Sequence, residues 1–155
     1  MPADAVSAGL SPSSPLKEAA AVRMLVLDVD GVCTDGKLYM DGDGHALKCF
    51  HAHDGIGIRL ALGAGLDIAV ITGRDDPGVR ARMTRLGVRH YFPGFEVKMP
   101  ALRRLSRECG IDFSHMAYLG DDFIDLEPME AVGMPMAVAN ARPEALRAAR
   151  YVTAL

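Results

Sequence analysis

The sequence predicts an α/β fold with three layers, in which helices cover both faces of an open, mostly parallel sheet. Short apolar runs alternate with segments of helical period along almost the whole chain. The apolar runs are hydrophobic on both faces, which is typical of strands in a covered parallel sheet. A chain of 155 residues is about the length of one domain. We therefore expect a single domain of this class.

Six strands and five helices follow from this pattern. The strands are expected at 24–29, 66–71, 89–92, 115–119, 134–138 and 151–153. The helices are expected at 56–64, 77–86, 99–109, 124–132 and 143–149. Pro77 and Pro143 stand in first turns of predicted helices, while Gly87 and Gly110 follow last turns. These residue types commonly start and end helices.

One segment after the first strand departs from the alternation. Residues 37–40 and 46–50 have strand-like composition and are separated by two consecutive Asp-Gly pairs at 41–44. Asp-Gly supplies the positive φ that tight hairpin turns require. We therefore expect a projecting β-hairpin here.

Composition and targeting signals exclude several classes of protein. The formal net charge is −3, the wrong sign for a chain that binds nucleic acid mainly through phosphate neutralisation. The apolar runs are far shorter than the roughly 18 residues of a membrane span. Residues 1–21 lack the regions of a signal peptide and are expected to form a flexible arm before the domain of residues 22–155. We expect a cytoplasmic protein with no nucleic-acid or membrane partner.

Polar residues directly follow the apolar runs of three predicted strands. They are Asp28 and Asp30 after residues 25–27, Thr72, Gly73 and Arg74 after residues 68–71, and Gly120, Asp121 and Asp122 after residues 116–119 of the fourth strand. Lys98 precedes the helix that leads to this fourth strand. Because ligands of open parallel sheets bind beyond the carboxyl ends of the strands, we expect these side chains to converge.

The chemistry of this set favours phosphoryl transfer. Clustered carboxylates repel one another unless a cation is present, and oxygen ligands suit Mg²⁺. Lys98, Thr72 and the amides near Gly73 can bind a phosphate group. Asp28 can then attack phosphorus, and Asp30 can act as acid and later as base. Each motif alone is also common in turns and helix caps, so the prediction depends on their combination.

The four motifs, in this order, resemble the haloacid dehalogenase superfamily of aspartyl-phosphate phosphatases, whose domain is Rossmann-like. Residues 28–36, the hairpin, 54–58 and 71–74 together are most similar to the branch that hydrolyses 3-deoxy-D-manno-octulosonate 8-phosphate. The resemblance implies that Asp28 is the nucleophile and a Mg²⁺ ligand, and that Asp30 is the acid/base and a ligand through its carbonyl. It implies that Asp121 is the third ligand and that Asp122 supports the metal shell. It also implies that the phosphate is bound by Thr72, Gly73 and Lys98.

The resemblance also has implications for assembly. The intervals between motifs are too short for a cap domain, and members of this branch form homotetramers in which a neighbouring subunit covers each site. We expect the 37–50 hairpin to form that interface, since its apolar residues have little core to pack on. These residues are Leu38, Tyr39, Met40 and Leu47.

The sugar-acid phosphate is expected to contact residues beyond the phosphate motifs. The candidates are His53, Asp54, Arg59 and Arg74. His53 stands where close relatives of this branch carry Arg, and the sequence ends at Leu155 where those relatives continue with a glycine-rich tail. The substrate is therefore less strongly predicted than the reaction.

Alternatives remain open at this stage. A nonulosonate 9-phosphate, or a broader range of sugar phosphates, would require the same reaction machinery. A non-catalytic oligomerisation module of the same fold is a second alternative, and a receiver-type phosphorylation switch is a third. The switch is disfavoured because its acidic residues and Lys occur in a different order along the strands.

Overall fold

Six of the eight strands form one parallel sheet in the computed structural model, which describes residues 15–154. The strands are β1 (Met24–Leu27), β2 (Tyr39–Met40), β3 (Ala46–Leu47), β4 (Asp67–Ile71), β5 (His90–Phe92), β6 (Met116–Gly120), β7 (Met134–Ala137) and β8 (Tyr151–Val152). The helices are α1 (Pro15–Ala21), α2 (Ala52–Gly63), α3 (Pro77–Leu86), α4 (Met99–Cys109), α5 (Leu126–Ala131) and α6 (Pro143–Ala148). Short 3₁₀ turns lie at Phe113–His115 and Phe123–Asp125.

The order of strands in the sheet is β5-β4-β1-β6-β7-β8, and every neighbouring pair is parallel. The chain runs outward from β1 through β4 to β5, then crosses to β6 on the other side of β1. The carboxyl ends of β1, β4 and β6 therefore flank the point where the strand order reverses, which is where open α/β sheets bind ligands. The predicted fold class is confirmed.

Alternate residues along the strands supply two hydrophobic layers. Val26 and Ile71 pack in one cluster with Leu102 of α4. Val70, the neighbour of Ile71, faces the opposite side and packs with Met83 of α3. Helices α4, α5 and α6 thus cover one face, and α2 and α3 cover the other. This covering explains why the strands are apolar on both faces.

Several element boundaries differ from the sequence prediction. Helix α2 begins at Ala52 rather than at residue 56, because the His51 side chain accepts a hydrogen bond from the His53 amide and caps the helix. The predicted 124–132 helix begins instead as a 3₁₀ turn, capped by Asp122, and continues as α5.

The hairpin is present but short. Its strands pair Tyr39 with Leu47 and Met40 with Ala46, fewer residues than the 37–40 and 46–50 ranges predicted. Two strands without a third gain little from packing. Part of the predicted N-terminal arm, residues 15–21, forms helix α1, and Arg150 pairs with Glu18 of this helix. Residues 1–14 lie outside the described part of the chain.

Within residues 15–154 there is no inserted cap domain. The hairpin and α2 occupy the interval between β1 and β4, and α3 and β5 occupy that between β4 and α4. None of the helices in this part of the chain is long and apolar enough to cross a membrane.

Candidate active site

The carboxyl ends of β1, β4 and β6 open into a cavity of about 410 Å³. Its lining residues are Asp28, Asp30, Gly36, Leu38, Gly73, Arg74, Glu96, Asp121, Asp122 and Ile124. Motif residues from all three strand ends thus meet here, as the sequence predicts. Glu96 and Ile124 also line the cavity, and no sequence motif indicated them.

The loop after β1 brings the first and last motifs together. Asp28 is 3% exposed, and its backbone amide donates to the carbonyl of Leu119 at 3.1 Å. Gly31 in this loop has a φ of 89°, a conformation that favours glycine. A Cβ atom added to Gly31 would overlap with Oδ2 of Asp121. The loop can therefore approach Asp121 this closely only because residue 31 has no side chain.

Lys98 is buried between two carboxylates. Its Nζ atom lies 2.6 Å from Oδ1 of Asp28 and 2.7 Å from Oδ1 of Asp125. Lys98 is 1% exposed and Asp125 is fully buried. Because a buried ammonium group is costly unless paired, these two carboxylates determine where the lysine lies. Its placement beside Asp28 agrees with the predicted site.

Asp125 organises this arrangement, and the sequence analysis missed it. Its Oδ1 also accepts a hydrogen bond from the Tyr118 hydroxyl at 2.8 Å. Its Oδ2 accepts the backbone amides of Asp121 and Asp122 at 3.0 and 3.2 Å. The available signal was the spacing Asp122-x-x-Asp125, which is that of a capping box.

The cluster of carboxylates at this edge of the sheet suits a divalent cation. Ligand oxygens of Asp28, Asp121 and Asp125 lie within 4.8 Å of one another. Oδ1 of Asp121 is buried and has no hydrogen-bond partner among residues 15–154. Burial, followed by repulsion from Asp28, raises the pKa of Asp121 to about 7. Burial also raises the pKa of Asp28 to about 6, although Lys98 opposes the shift.

Mg²⁺ matches this set of oxygen donors. The side chains of Asp28 and Asp121 are the ones available to hold it. Asp125 is unsuited because Lys98, Tyr118 and two backbone amides already occupy its oxygens. A cation at Asp121 would satisfy the unpaired oxygen and relieve the repulsion between carboxylates.

Thr72 occupies the opposite side of the site, directly after β4. It is 2% exposed, and its amide donates to the Phe92 carbonyl at 3.0 Å. The Phe95 amide donates to the Thr72 carbonyl, also at 3.0 Å. Gly73 and Arg74 follow at the cavity wall. The backbone around Thr72 is thus fixed on both sides.

Asp30 has a partner that the sequence analysis did not predict. Its carboxylate forms an ion pair with Lys48, which follows β3 of the hairpin. The Lys48 side chain is only 5% exposed. A lysine in a polar hairpin gives no sequence signal for such burial.

Three predicted substrate contacts lie elsewhere. His53, Asp54 and Arg59 are exposed on α2 and are not among the residues that line the cavity. Arg59 instead donates to the Arg85 carbonyl at 3.1 Å. Because α2 packs against α3 and leads away from the strand ends, this chain alone does not bring the three residues to the cavity.

The known proteins reported below as similar to this chain belong to one family of hydrolases. A family model for haloacid dehalogenase-like hydrolases matches residues 92–155. The 3-deoxy-D-manno-octulosonate 8-phosphate phosphatase of Salmonella typhimurium is 43% identical over 144 residues, which cover 92% of this chain and 77% of the relative. The corresponding protein of Escherichia coli K12 is 43% identical over 138 residues, covering 89% and 73%.

Solved structures give the same result. The 3-deoxy-D-manno-octulosonate 8-phosphate phosphatase of Yersinia pestis is 40% identical, with a TM-score of 0.88 over 90% of this chain and 76% of that one. The enzyme of the same name from Moraxella catarrhalis, solved in complex with magnesium, phosphate and KDO, is 33% identical, with a TM-score of 0.86. That similarity covers 89% of this chain and 79% of the other.

Proposed function

The chain belongs to the 3-deoxy-D-manno-octulosonate 8-phosphate phosphatases, within the haloacid dehalogenase-like hydrolases, and from this premise we propose how it acts. It is a phosphoric monoester hydrolase that converts this sugar-acid phosphate to the free sugar acid and phosphate. Mg²⁺ is its cofactor. The observation that carries the proposed mechanism is the convergence of Asp28, Asp30 and Asp121 on one cavity beside buried Lys98.

Asp28 is the proposed nucleophile. Its pKa of about 6 leaves the carboxylate largely ionised at neutral pH, and Lys98 holds Oδ1 in place. A carboxylate oxygen attacks phosphorus, and the bond between phosphorus and the sugar oxygen breaks. That oxygen takes a proton from the carboxylic acid of Asp30, so the sugar leaves as an alcohol. An aspartyl-phosphate remains on Asp28.

Asp30 then acts in the opposite sense. Its carboxylate takes a proton from water while the water oxygen attacks phosphorus. The bond between phosphorus and the Asp28 oxygen breaks, which releases inorganic phosphate and restores the carboxylate. One residue can perform both transfers because each leaves Asp30 in the protonation state required by the other.

Thr72, Gly73 and Lys98 are proposed to bind the phosphate oxygens, and Arg74 lies at the cavity wall for the rest of the substrate. Mg²⁺, held by Asp28, Asp121 and the carbonyl of Asp30, supplies positive charge for the phosphate oxygens. Asp122 is proposed to support that arrangement. His53, Asp54 and Arg59 can reach substrate only if a second copy of the chain brings α2 to the cavity of its neighbour.

We also propose a cytoplasmic homotetramer assembled through the hairpin. Leu38, Met40 and Leu47 are 59%, 62% and 70% exposed, and Tyr39 is 45% exposed. Such apolar exposure on one projecting element is typical of a subunit interface. Replacement of Leu47 by Asp should reduce the mass measured by light scattering, while the control Arg107→Asp, at an exposed position of α4 outside the hairpin, should not.

A nonulosonate 9-phosphate is the nearest alternative substrate, because the residues that contact phosphate would be the same. A non-catalytic module is disfavoured by the presence of Asp28, Asp30, Lys98 and Asp121 together. The test is phosphate release from both sugar phosphates, with Mg²⁺ or chelator. We expect Mg²⁺-dependent turnover that prefers the octulosonate and is lost in Asp28→Asn. The control Asp67→Asn, at an exposed site at the amino end of β4, should retain activity, and release that survives Asp28→Asn would contradict the mechanism.

A further inference from the structure

The second aspartate of the first motif is paired with a lysine from the hairpin. Asp30 and Lys48 form an ion pair although they are 18 residues apart. We infer that Lys48 is a positioning residue that holds the Asp30 carboxylate at the cavity edge for proton transfer. This inference deepens the proposed function and rests on it.

The two side chains of this pair differ in burial. The Lys48 side chain is 5% exposed, whereas that of Asp30 is 38% exposed. An ammonium group withdrawn from water needs an oxygen acceptor, and Asp30 supplies one both as the carboxylate and as the carboxylic acid that the mechanism requires. Asp30 itself can reach water, so it does not need a lysine for solvation. Because Lys48 is much more buried than Asp30, we infer that the pair limits the positions of the Asp30 side chain and contributes little to its solvation.

The base of the hairpin is a fixed support for Lys48. A β-bridge joins Thr34, in the loop after β1, to Phe50, which lies just beyond Lys48. The Thr34 hydroxyl also donates to the Val29 carbonyl at 3.3 Å. The loop that carries Asp30 and the strand end that carries Lys48 are therefore connected through backbone as well as side chains.

Lys48 acts through Asp30, the cavity-lining residue with which its ammonium group pairs. The two aspartates of the motif thus have separate lysines: Lys98 lies beside Asp28, and Lys48 beside Asp30. Without Lys48 the Asp30 side chain is free to adopt other rotamers, and small displacements of a catalytic group lower rates strongly.

The test compares two leaving groups in the protein of residues 1–155. The octulosonate leaves through an alkoxide oxygen and needs a proton, whereas p-nitrophenolate leaves as a stable anion. We expect Lys48→Met to lower kcat/KM for the sugar phosphate by about 10- to 100-fold, because this parameter includes the protonation of the leaving oxygen. It should lower kcat/KM for p-nitrophenyl phosphate by less than about threefold, because this parameter ends when the aspartyl-phosphate forms, before Asp30 acts as base on water. Lys48→Arg, which restores the cation, should recover most of the loss.

Arg107→Met is the control, because it also removes a cation but at an exposed position of α4, outside the hairpin. It should behave as the unmodified protein. Circular dichroism and light scattering check that each variant folds and assembles, and Lys48→Gln replaces Lys48→Met if the latter does not fold. Equal losses in kcat/KM on both substrates, or no loss on the sugar phosphate, would overturn the inference while leaving the proposed function intact. If the unmodified protein hydrolysed neither substrate, the proposed function would fail and the inference with it.

Discussion

The ammonium group of Lys98 lies 2.6 Å from Oδ1 of Asp28, with 0% and 5% of the two side chains exposed. The same group lies 2.7 Å from Oδ1 of Asp125. Asp121 approaches this pair of carboxylates, and its Oδ1 has no hydrogen-bond partner in the described part of the chain. The pocket therefore contains more negative than positive charge, which a divalent cation can compensate.

Lys98→Met should remove both phosphate release and part of the stability. Met keeps most of the side-chain volume but leaves Asp28 and Asp125 buried without their cation. We expect phosphate release to fall by at least about 100-fold and the free energy of unfolding to fall by about 3–5 kcal/mol. Enzyme assays and urea denaturation measure the two effects. Arg107→Met, at an exposed position of α4, should change neither, and near-normal activity in Lys98→Met would exclude a role for this lysine.

Asp125→Asn tests whether one buried carboxylate organises the site. The carboxylate accepts hydrogen bonds on both oxygens, but an amide presents an NH₂ group to donors on one side. We expect a loss of about 2–4 kcal/mol in the free energy of unfolding, together with reduced activity.

The matched substitution is Asp122→Asn. Asp122 caps the 3₁₀ turn from an exposed position, and Asn caps helices equally well. The free energy of unfolding should therefore change by less than about 0.5 kcal/mol. Similar destabilisation by the two variants would show that Asp125 is no more than a second cap.

The sequence could predict residues whose position follows from chain order. Asp28, Thr72 and Asp121 directly follow apolar runs, so the parallel sheet alone brings them to one edge. Asp125 could not be predicted, because at its position an acidic side chain is equally typical of a helix cap. Its burial depends on Lys98, which arrives from a distant helix.

Lys48 was missed for a related reason. In an Asp-Gly hairpin a lysine is normally exposed, and only the fold of the loop after β1 buries it against Asp30. His53 and Arg59 were predicted from the branch that the chain resembles, and the single chain places them on the exposed face of α2. Their predicted role depends on contacts between subunits, which spacing along one chain does not describe.

Gly31→Ala should weaken Mg²⁺ activation. Gly31 has a φ of 89°, and an added Cβ would overlap with Oδ2 of Asp121. The methyl group must displace the Asp121 carboxylate, so the Mg²⁺ concentration for half-maximal activity should rise by about tenfold or more. Titration of phosphate release with Mg²⁺ measures this change.

Gly44→Ala separates steric overlap from backbone strain. Gly44 has a φ of 84° but nothing within 4 Å of an added Cβ, so it has a similar strain without the overlap. We expect a loss of about 1 kcal/mol in unfolding free energy for this control and an unchanged Mg²⁺ requirement. If both variants required the same Mg²⁺ concentration as the unmodified protein, the close approach of Gly31 to Asp121 would have no bearing on metal binding.

Mg²⁺ should stabilise the protein more at high pH than at low pH. Burial raises the pKa of Asp28 and Asp121 from the ordinary value of 3.8 to about 6 and about 7. At pH values between about 4 and about 7, the metal-free folded protein therefore binds more protons than the unfolded chain. Its free energy of unfolding therefore falls as pH rises from about 4 to about 7. Mg²⁺ supplies the positive charge that protons no longer supply, so its benefit grows over the same range.

Thermal unfolding at about pH 5 and about pH 8, with chelator or with Mg²⁺, measures this difference. The increase in Tm caused by Mg²⁺ should be clearly larger at the higher pH. Asp121→Asn should remove most of this increase in Tm, because a neutral amide then takes the place of the carboxylate whose Oδ1 is unpaired among the residues described. Asp67→Asn, at an exposed site at the amino end of β4, should retain it. An equal increase at both pH values in the unmodified protein would mean that the two carboxylates are not protonated in the metal-free pocket, and hence that burial does not raise their pKa as the structure indicates.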